Sequence, residues 1–249
     1  MDSVEPILEK VKEPFHRLSL LTGAETAAAL ERSRALIVGL GGVGSWAAEA
    51  LVRSGIGGIS LADFDVVCPT NINRQAQAAV STVGRLKTEA LEERLKNINP
   101  DCRIQTFPWA FSAETADYFD IPGADYVIDA IDTLPCKLDL IEAALSSGKR
   151  LYSSMGMALK LDPTLIKTAD VWESSGCPLA RLVREGLRKR HIDGHFTVVY
   201  SPERLERPGG PAERCDGKTV NGSAVTVTAA AGMVLASLVI RDIYSRHAP

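Results

Sequence analysis

The segment RALIVGLGGVGSWAAEALVRSGIGGISLADFD, Arg34 to Asp65, limits the possible folds more than any other part of the chain. An apolar run (Ala35 to Val38) meets a glycine turn, then a helical pattern (Val43 to Ser54), then a second apolar run (Ile59 to Ala62) that ends in Asp63. Gly39, Gly41 and Gly44 stand in G-x-G-x-x-G spacing, with Gly42 inside the turn. Such glycines serve a tight turn, close phosphate approach and helix packing, while the helix N-terminus favours anionic oxygens. A carboxylate about 20 residues beyond the turn suits ribose hydroxyls, and this is the position of Asp63. Both a dinucleotide for hydride transfer and ATP meet these requirements.

Further apolar runs at Arg103 to Phe107, Tyr126 to Ala130 and Leu151 to Ser153 read as strands, with helical patterns near Ser81 to Asn97, Ala113 to Phe119 and Pro135 to Ser147. Strand and helix in alternation imply an α/β fold, a Rossmann-like doubly wound and mostly parallel sheet. After Ser153 the rhythm changes: MGMALKLDPTLIKTADV reads as extended, CPLARLVREGLRKRH as a helix and the stretch from Ser201 to Ser223 as a surface loop. We therefore expect one domain over 1–249: an N-terminal helical arm (1–32), a nucleotide-binding core (33–154) and a C-terminal extension packed on it (155–249) with a flexible loop at about 201–222.

Composition excludes several classes of function. With 28 basic and 31 acidic residues the chain has a net charge of −3, so a polyanion must be gripped by a local patch. Cys68, Cys102, Cys136, Cys177 and Cys215 include no C-x-x-C pair, which argues against a disulfide framework or an all-cysteine zinc site. MDSVEPILEKVKEPF has neither the basic start nor the apolar core of a signal peptide, and a cytosolic location is expected. From Val220 to Ile240 no charged residue occurs, a length that could span a bilayer. The alternation in AVTVT and the small residues in AAAGMVLASLVI read instead as a buried strand and a packed helix, without membrane contact.

DFDVVCPTNINRQ and VGRLK decide between the nucleotides, because a dehydrogenase does not require them. Arg74 and Lys87 supply charge for a triphosphate, and Asn71 and Gln75 supply amides to orient it. In YVIDAIDT, Asp129 and Asp132 fall at a strand end, where carboxylates beside a triphosphate suit Mg²⁺.

GLGGVG, DFD, TNINRQ, VGRLK and DAID together resemble, in order and spacing, the ThiF/MoeB/HesA adenylating family, relatives of the ubiquitin-activating enzymes. The resemblance implies a homodimer that binds ATP and Mg²⁺ and activates a carboxylate as an acyl adenylate. It assigns Gly39, Gly41, Gly42, Gly44 and Asp63 to the nucleotide, Asn71, Arg74, Gln75 and Lys87 to its phosphates, and Asp132 to the metal. Arg17 stands where the family carries an arginine that reaches the partner subunit's ATP, so the catalytic set it implies is Arg17, Arg74, Lys87 and Asp132.

Members that charge a ubiquitin-like sulfur-carrier protein commonly have two C-x-x-C pairs, absent here. GSWAAEALVRSGIG, SSMGMALKLDPT, CPLARLVREGLRKR and VVYSPE instead resemble the tRNA threonylcarbamoyladenosine dehydratase branch. That branch implies a tRNA substrate cyclised next to the anticodon; a sulfur-carrier protein is the alternative partner, and a non-catalytic nucleotide-binding scaffold the alternative class. Met155 to Lys160, where the family is richer in glycine, is expected to line the acceptor pocket. At about 100° per residue Arg181, Arg184 and Arg188 share a helix face, a candidate tRNA contact. Cys177 is expected to cap or pack that helix, since an intramolecular nucleophile makes an enzyme thioester unnecessary.

Overall fold

The computed structural model describes residues 14–205, 214–215, 218–219 and 221–247. The first thirteen residues of the expected arm and half of the expected loop lie outside them. The sheet consists of β1 (Arg34–Val38), β2 (Gly58–Ala62), β3 (Arg103–Phe107), β4 (Tyr126–Asp129), β5 (Arg150–Ser154), β6 (Lys167–Asp170) and β7 (Thr197–Tyr200), in the order β3-β2-β1-β4-β5-β7-β6. Only β6 runs antiparallel, against β7. Two further short strands, β8 (Arg214–Cys215) and β9 (Lys218–Thr219), pair with each other.

Alternation along the strands feeds two cores, one on each face. Ala35 and Ile37 of β1 join the core formed with α2 (Ala24–Arg32), α3 (Gly44–Arg53), α4 (Lys87–Lys96) and α7 (Val225–His247). Leu36 and Val38 join the core formed with α5 (Leu134–Ser146) and α6 (Pro178–Lys189). A short helix, α1 (His16–Thr22), precedes α2. Because β1 lies between β2 and β4, the strand order reverses there, and the crevice beyond the carboxyl ends of β1 and β4 is where such sheets bind ligands.

Four expectations need correction. The strand read in AVTVT is absent: Val225 to His247 is one helix. Val227, Ala231, Leu235, Val239 and Ile243 recur every fourth residue, and burial of this helical stripe overrides the β-branched alternation. This helix has the length and apolarity to cross a membrane, yet it packs on α3, where a Cβ at Gly232 would meet the Val43 carbonyl and the Ala47 nitrogen. The helix expected from Ser81 begins only at Lys87, after a 3-10 turn at Val80–Thr82, and Ala113 to Phe119 contains only the 3-10 turn Ala116–Tyr118. Within MGMALKLDPTLIKTADV, read as extended, regular strand is confined to β6.

Candidate active site

The glycine turn is shaped by close packing on one side and open space on the other. Gly39 has φ +92°, and a Cβ there would lie 2.7 Å from the Ala130 carbonyl oxygen. A Cβ at Gly44 would collide with the Gly39 carbonyl, and one at Gly42 would press on Thr228 of α7 and on the Arg74 stem. Gly41 differs, with nothing within 4 Å of its Cβ position. The turn therefore has no room for side chains at its base and stays open where a phosphate would approach.

Asp63 is buried at the end of β2 and fastened to this turn. Its Oδ2 accepts from Leu40 N–H at 2.7 Å and its Oδ1 from Asp65 N–H at 2.9 Å. Burial pushes its carboxyl pKa up, against the opposing pull of Lys87 and the two backbone donors. Lys87, buried at the start of α4, places Nζ 2.7 Å from Asp65 and 3.6 Å from Asp63.

Asn71, Arg74 and Gln75 come to the same edge on the segment between β2 and α4. Asn71 Oδ1 accepts from Cys68 N–H at 3.0 Å, and Arg74 Nη1 donates to the Thr70 carbonyl and to Asn73 Oδ1. Burial lowers the Arg74 pKa, and the charge of Asp132 opposes that fall. Gln77, which sequence reasoning missed, donates to the Leu40 carbonyl at 2.9 Å and to Gln75 Oε1 at 3.3 Å. Two more anchors hold the segment: Trp46 Nε1 donates to the Arg74 carbonyl, and Ser45 Oγ accepts from Ala76 N–H. The only sequence signal for Gln77 was its place two residues after Gln75.

The two aspartates after β4 separate completely. Asp129 is fully buried: its Oδ2 lies 2.7 Å from Lys137 Nζ and accepts from Ser153 Oγ at 2.6 Å, while Oδ1 accepts from Ile131 N–H. Lys137, itself fully buried, also donates to the Ile131 carbonyl at 2.9 Å. This pair fixes the turn and leaves Asp129 no access to a metal. Asp132 is exposed, with Thr133 Oγ1 at 3.4 Å as its hydrogen-bond contact. Among the described residues no group of three or more His, Cys, Asp or Glu side chains converges, so Mg²⁺ would need one carboxylate supplemented by phosphate oxygens and water, its ordinary coordination.

Arg17 does not join this cluster. Phe15, at the start of α1, packs on Gly55, beyond the far end of α3, so Arg17 belongs to the amino edge of the sheet. α3 alone separates the two edges by about 15 Å at 1.5 Å per residue. The three α6 arginines have other bonds as well: Arg181 pairs with Glu185 at 3.3 Å, Arg184 donates to Ser174 Oγ, and Arg188 lies 5.2 Å from the Trp172 ring centre. Cys177 is buried at the N-cap of α6, and Met155, Met157 and Lys160 are buried in the segment after β5.

A doubly wound sheet with an open glycine turn, a buried carboxylate fastened to it, a buried lysine and an exposed aspartate at one edge is the architecture of a nucleotide-binding class of protein. Residues 15–247 match the model of the ThiF family, and the chain belongs to that family. A tRNA threonylcarbamoyladenosine dehydratase of Bacillus subtilis is 38% identical over 92% of this chain and 94% of its own. The crystal structure of the Escherichia coli tRNA N6-threonylcarbamoyladenosine dehydratase in complex with ATP is 34% identical, covers 94% of each chain and superposes with a TM-score of 0.84. The same enzyme in complex with AMP gives a TM-score of 0.86.

Proposed function

We propose that this chain is an ATP-dependent tRNA threonylcarbamoyladenosine dehydratase, which activates the threonyl carboxylate beside the anticodon as an acyl adenylate and cyclises it with loss of water. The observation that carries the reading is the open face of Gly41 at the strand end where Asp63, Arg74, Lys87 and Asp132 collect. A dinucleotide needs none of the last three.

In this reading each Asp63 oxygen keeps a lone pair for a ribose hydroxyl, since each accepts one backbone bond. Arg74 and Lys87 face the phosphates, together with the Asn71 amide nitrogen and the Gln75 amide. The Gln75 oxygen is already taken by Gln77, so Gln75 offers N–H groups to an anion. Asp132 would hold Mg²⁺, which would supply positive charge against the phosphate oxygens. A threonyl carboxylate oxygen attacks the α-phosphorus, the bond to the β-phosphate oxygen breaks, and pyrophosphate leaves. The urea portion of the modification then attacks the activated carbonyl, AMP leaves and the ring closes. Positioning and fixed charge carry such a step.

Arg17 is at the wrong edge to serve its own site, so it acts on the partner's ATP in a homodimer. The protein works in the cytosol. Incubation with ATP, Mg²⁺ and tRNA bearing the threonylcarbamoyl group, followed by digestion and mass measurement of the nucleosides, is expected to show loss of one water. A modified nucleoside of unchanged mass refutes the reading.

A further inference from the structure

Arginines collect at the amino edge of the sheet, remote from the nucleotide turn, and Arg150 among them is paired, with Asp242. Arg34, Arg103 and Arg150 are the first residues of β1, β3 and β5, and because these strands are parallel all three stand at that edge. Arg103 is in register with Gly58 and Gly58 with Arg34; Tyr126, in register with Ala35, faces Arg150. With about 4.8 Å between strands, Arg34 and Arg103 are about 10 Å apart on the face of Leu36 and Phe107, whereas Arg150, in register with Ala35, is on the opposite face of the same edge. Arg32, at the end of α2, lies beside the row; it lines a cleft of about 960 Å³ together with Arg103 and a smaller one of about 220 Å³ together with Arg150, Arg246 and His247.

Their bonding sets these side chains apart. Among the described residues five arginines, Arg17, Arg32, Arg34, Arg103 and Arg241, have no side-chain hydrogen bond, ion pair or ring contact. All five are exposed. Arg17, Arg32, Arg34 and Arg103 belong to the amino edge, and Arg241 precedes Asp242, the carboxylate that binds Arg150. Other described arginines are engaged, including Arg53 and Arg94 on Glu49 and Arg190 on Asp139. Arginines that merely keep a surface soluble have no reason to lose their partners at one edge only.

We propose that this edge binds the phosphodiester backbone of the RNA substrate. The proposal rests on the tRNA reading above and locates the surface on which the rest of the tRNA lies. A chain of net charge −3 attracts a polyanion only through a local surplus; Glu31, Asp101 and Asp125 share these clefts, but none binds the guanidinium of Arg32, Arg34 or Arg103, and Arg150 and Arg246 share the single carboxylate of Asp242, so the forks can turn to phosphate without breaking any protein contact. Such contacts position the RNA and carry no sequence information. Arg17 shares the edge, so RNA along the row is led toward the partner's chemistry.

The test is R32Q/R34Q/R103Q in the full chain, none of which touches the nucleotide site, with threonylcarbamoyl-bearing tRNA titrated across a salt series. At about 0.1 M salt Kd is expected to rise about tenfold or more, and the slope of log K against log salt to become shallower by about two to three. ATP affinity and turnover at saturating tRNA are expected to stay unchanged. Each single substitution should take about one from the slope, which keeps the test valid should the triple variant melt early. Unchanged tRNA affinity and slope would overturn the proposal and leave the dehydratase reading standing. A triple variant that loses only its binding to anionic phospholipid vesicles would also overturn it. A parent protein that binds no such tRNA refutes the tRNA reading, and the proposal with it.

Discussion

The two edges of the sheet hold similar cations in opposite states. At the carboxyl edge Lys87 sits between Asp65 and Asp63, Lys137 is bonded to Asp129 and the Ile131 carbonyl, and Arg74 is held by Thr70 and Asn73. At the amino edge the side chains of Arg32, Arg34 and Arg103 are exposed and have no hydrogen-bond or ion-pair partner among the described residues. Burial explains the contrast: a charge taken out of water must be paired, whereas an exposed one need not be. The carboxyl edge is thereby a preorganised site for reaction, and the amino edge a store of charge available to a large anion.

The contrast is sharpest in stability. Lys137→Met leaves Asp129 buried and unpaired, and denaturant unfolding is expected to show a loss of about 3–5 kcal/mol. Arg34→Gln should stay within about 0.5 kcal/mol of the parent. Equal effects at the two sites would erase the distinction.

Activity separates the two aspartates next. Asp132→Ala should reduce turnover about 10²–10³-fold, the usual consequence of deleting one fixed charge from a transition state. Its stability should change by no more than about 0.5 kcal/mol, because the carboxylate is exposed. Lys87→Ala should lose turnover as well, but with a measurable fall in stability, since Asp63 then keeps no cation beside it. Near-normal AMP release by either variant would remove that residue from the chemistry.

A smaller effect separates two buried carboxylates, Glu49 and Asp63, by pH. Burial raises the carboxyl pKa of Glu49 on α3, but hydrogen bonds and charge from Arg94 and Arg53 outweigh it, and the net direction is down. Its contribution to stability is therefore present above the unfolded value of about 4.3 and disappears as pH falls through the lower folded value. Asp63 is shifted the other way, so its ionisation weakens the fold as pH rises from about 3.9 through the higher folded value. Unfolding measured from acid to neutral pH should show the penalty of Glu49→Gln growing and that of Asp63→Asn shrinking. Parallel trends would contradict the assignment of opposite shifts.

Local patterns were legible in the sequence, and long-range partnerships were not. β1, β2 and the glycine turn followed from an apolar run, a spacing and a carboxylate, all within 32 consecutive residues. Asp129 and Asp132 looked alike because the difference comes from Lys137 and Ser153, which only the folded chain brings to Asp129. The α6 arginines formed one face as expected, but Trp172 and Ser174, which engage Arg188 and Arg184, lie outside the helical pattern. Val225 to Thr228 read as strand because β-branched residues alternate there, and only packing against α3 reveals the helix. The row of arginines at the amino edge needs the strand register, which no local pattern contains.

The central claim is that one subunit's amino edge serves the other subunit's carboxyl edge, and Arg17 tests it most directly. Arg17→Ala and Asp132→Ala, each expected to be strongly impaired on its own, are to be mixed under conditions of proven subunit exchange, and AMP release measured with modified tRNA. One site of each mixed dimer then holds both groups, so the mixture should regain activity that neither parent shows. A mixture as inactive as its parents would contradict the claim and confine Arg17 to its own subunit or to no catalytic role.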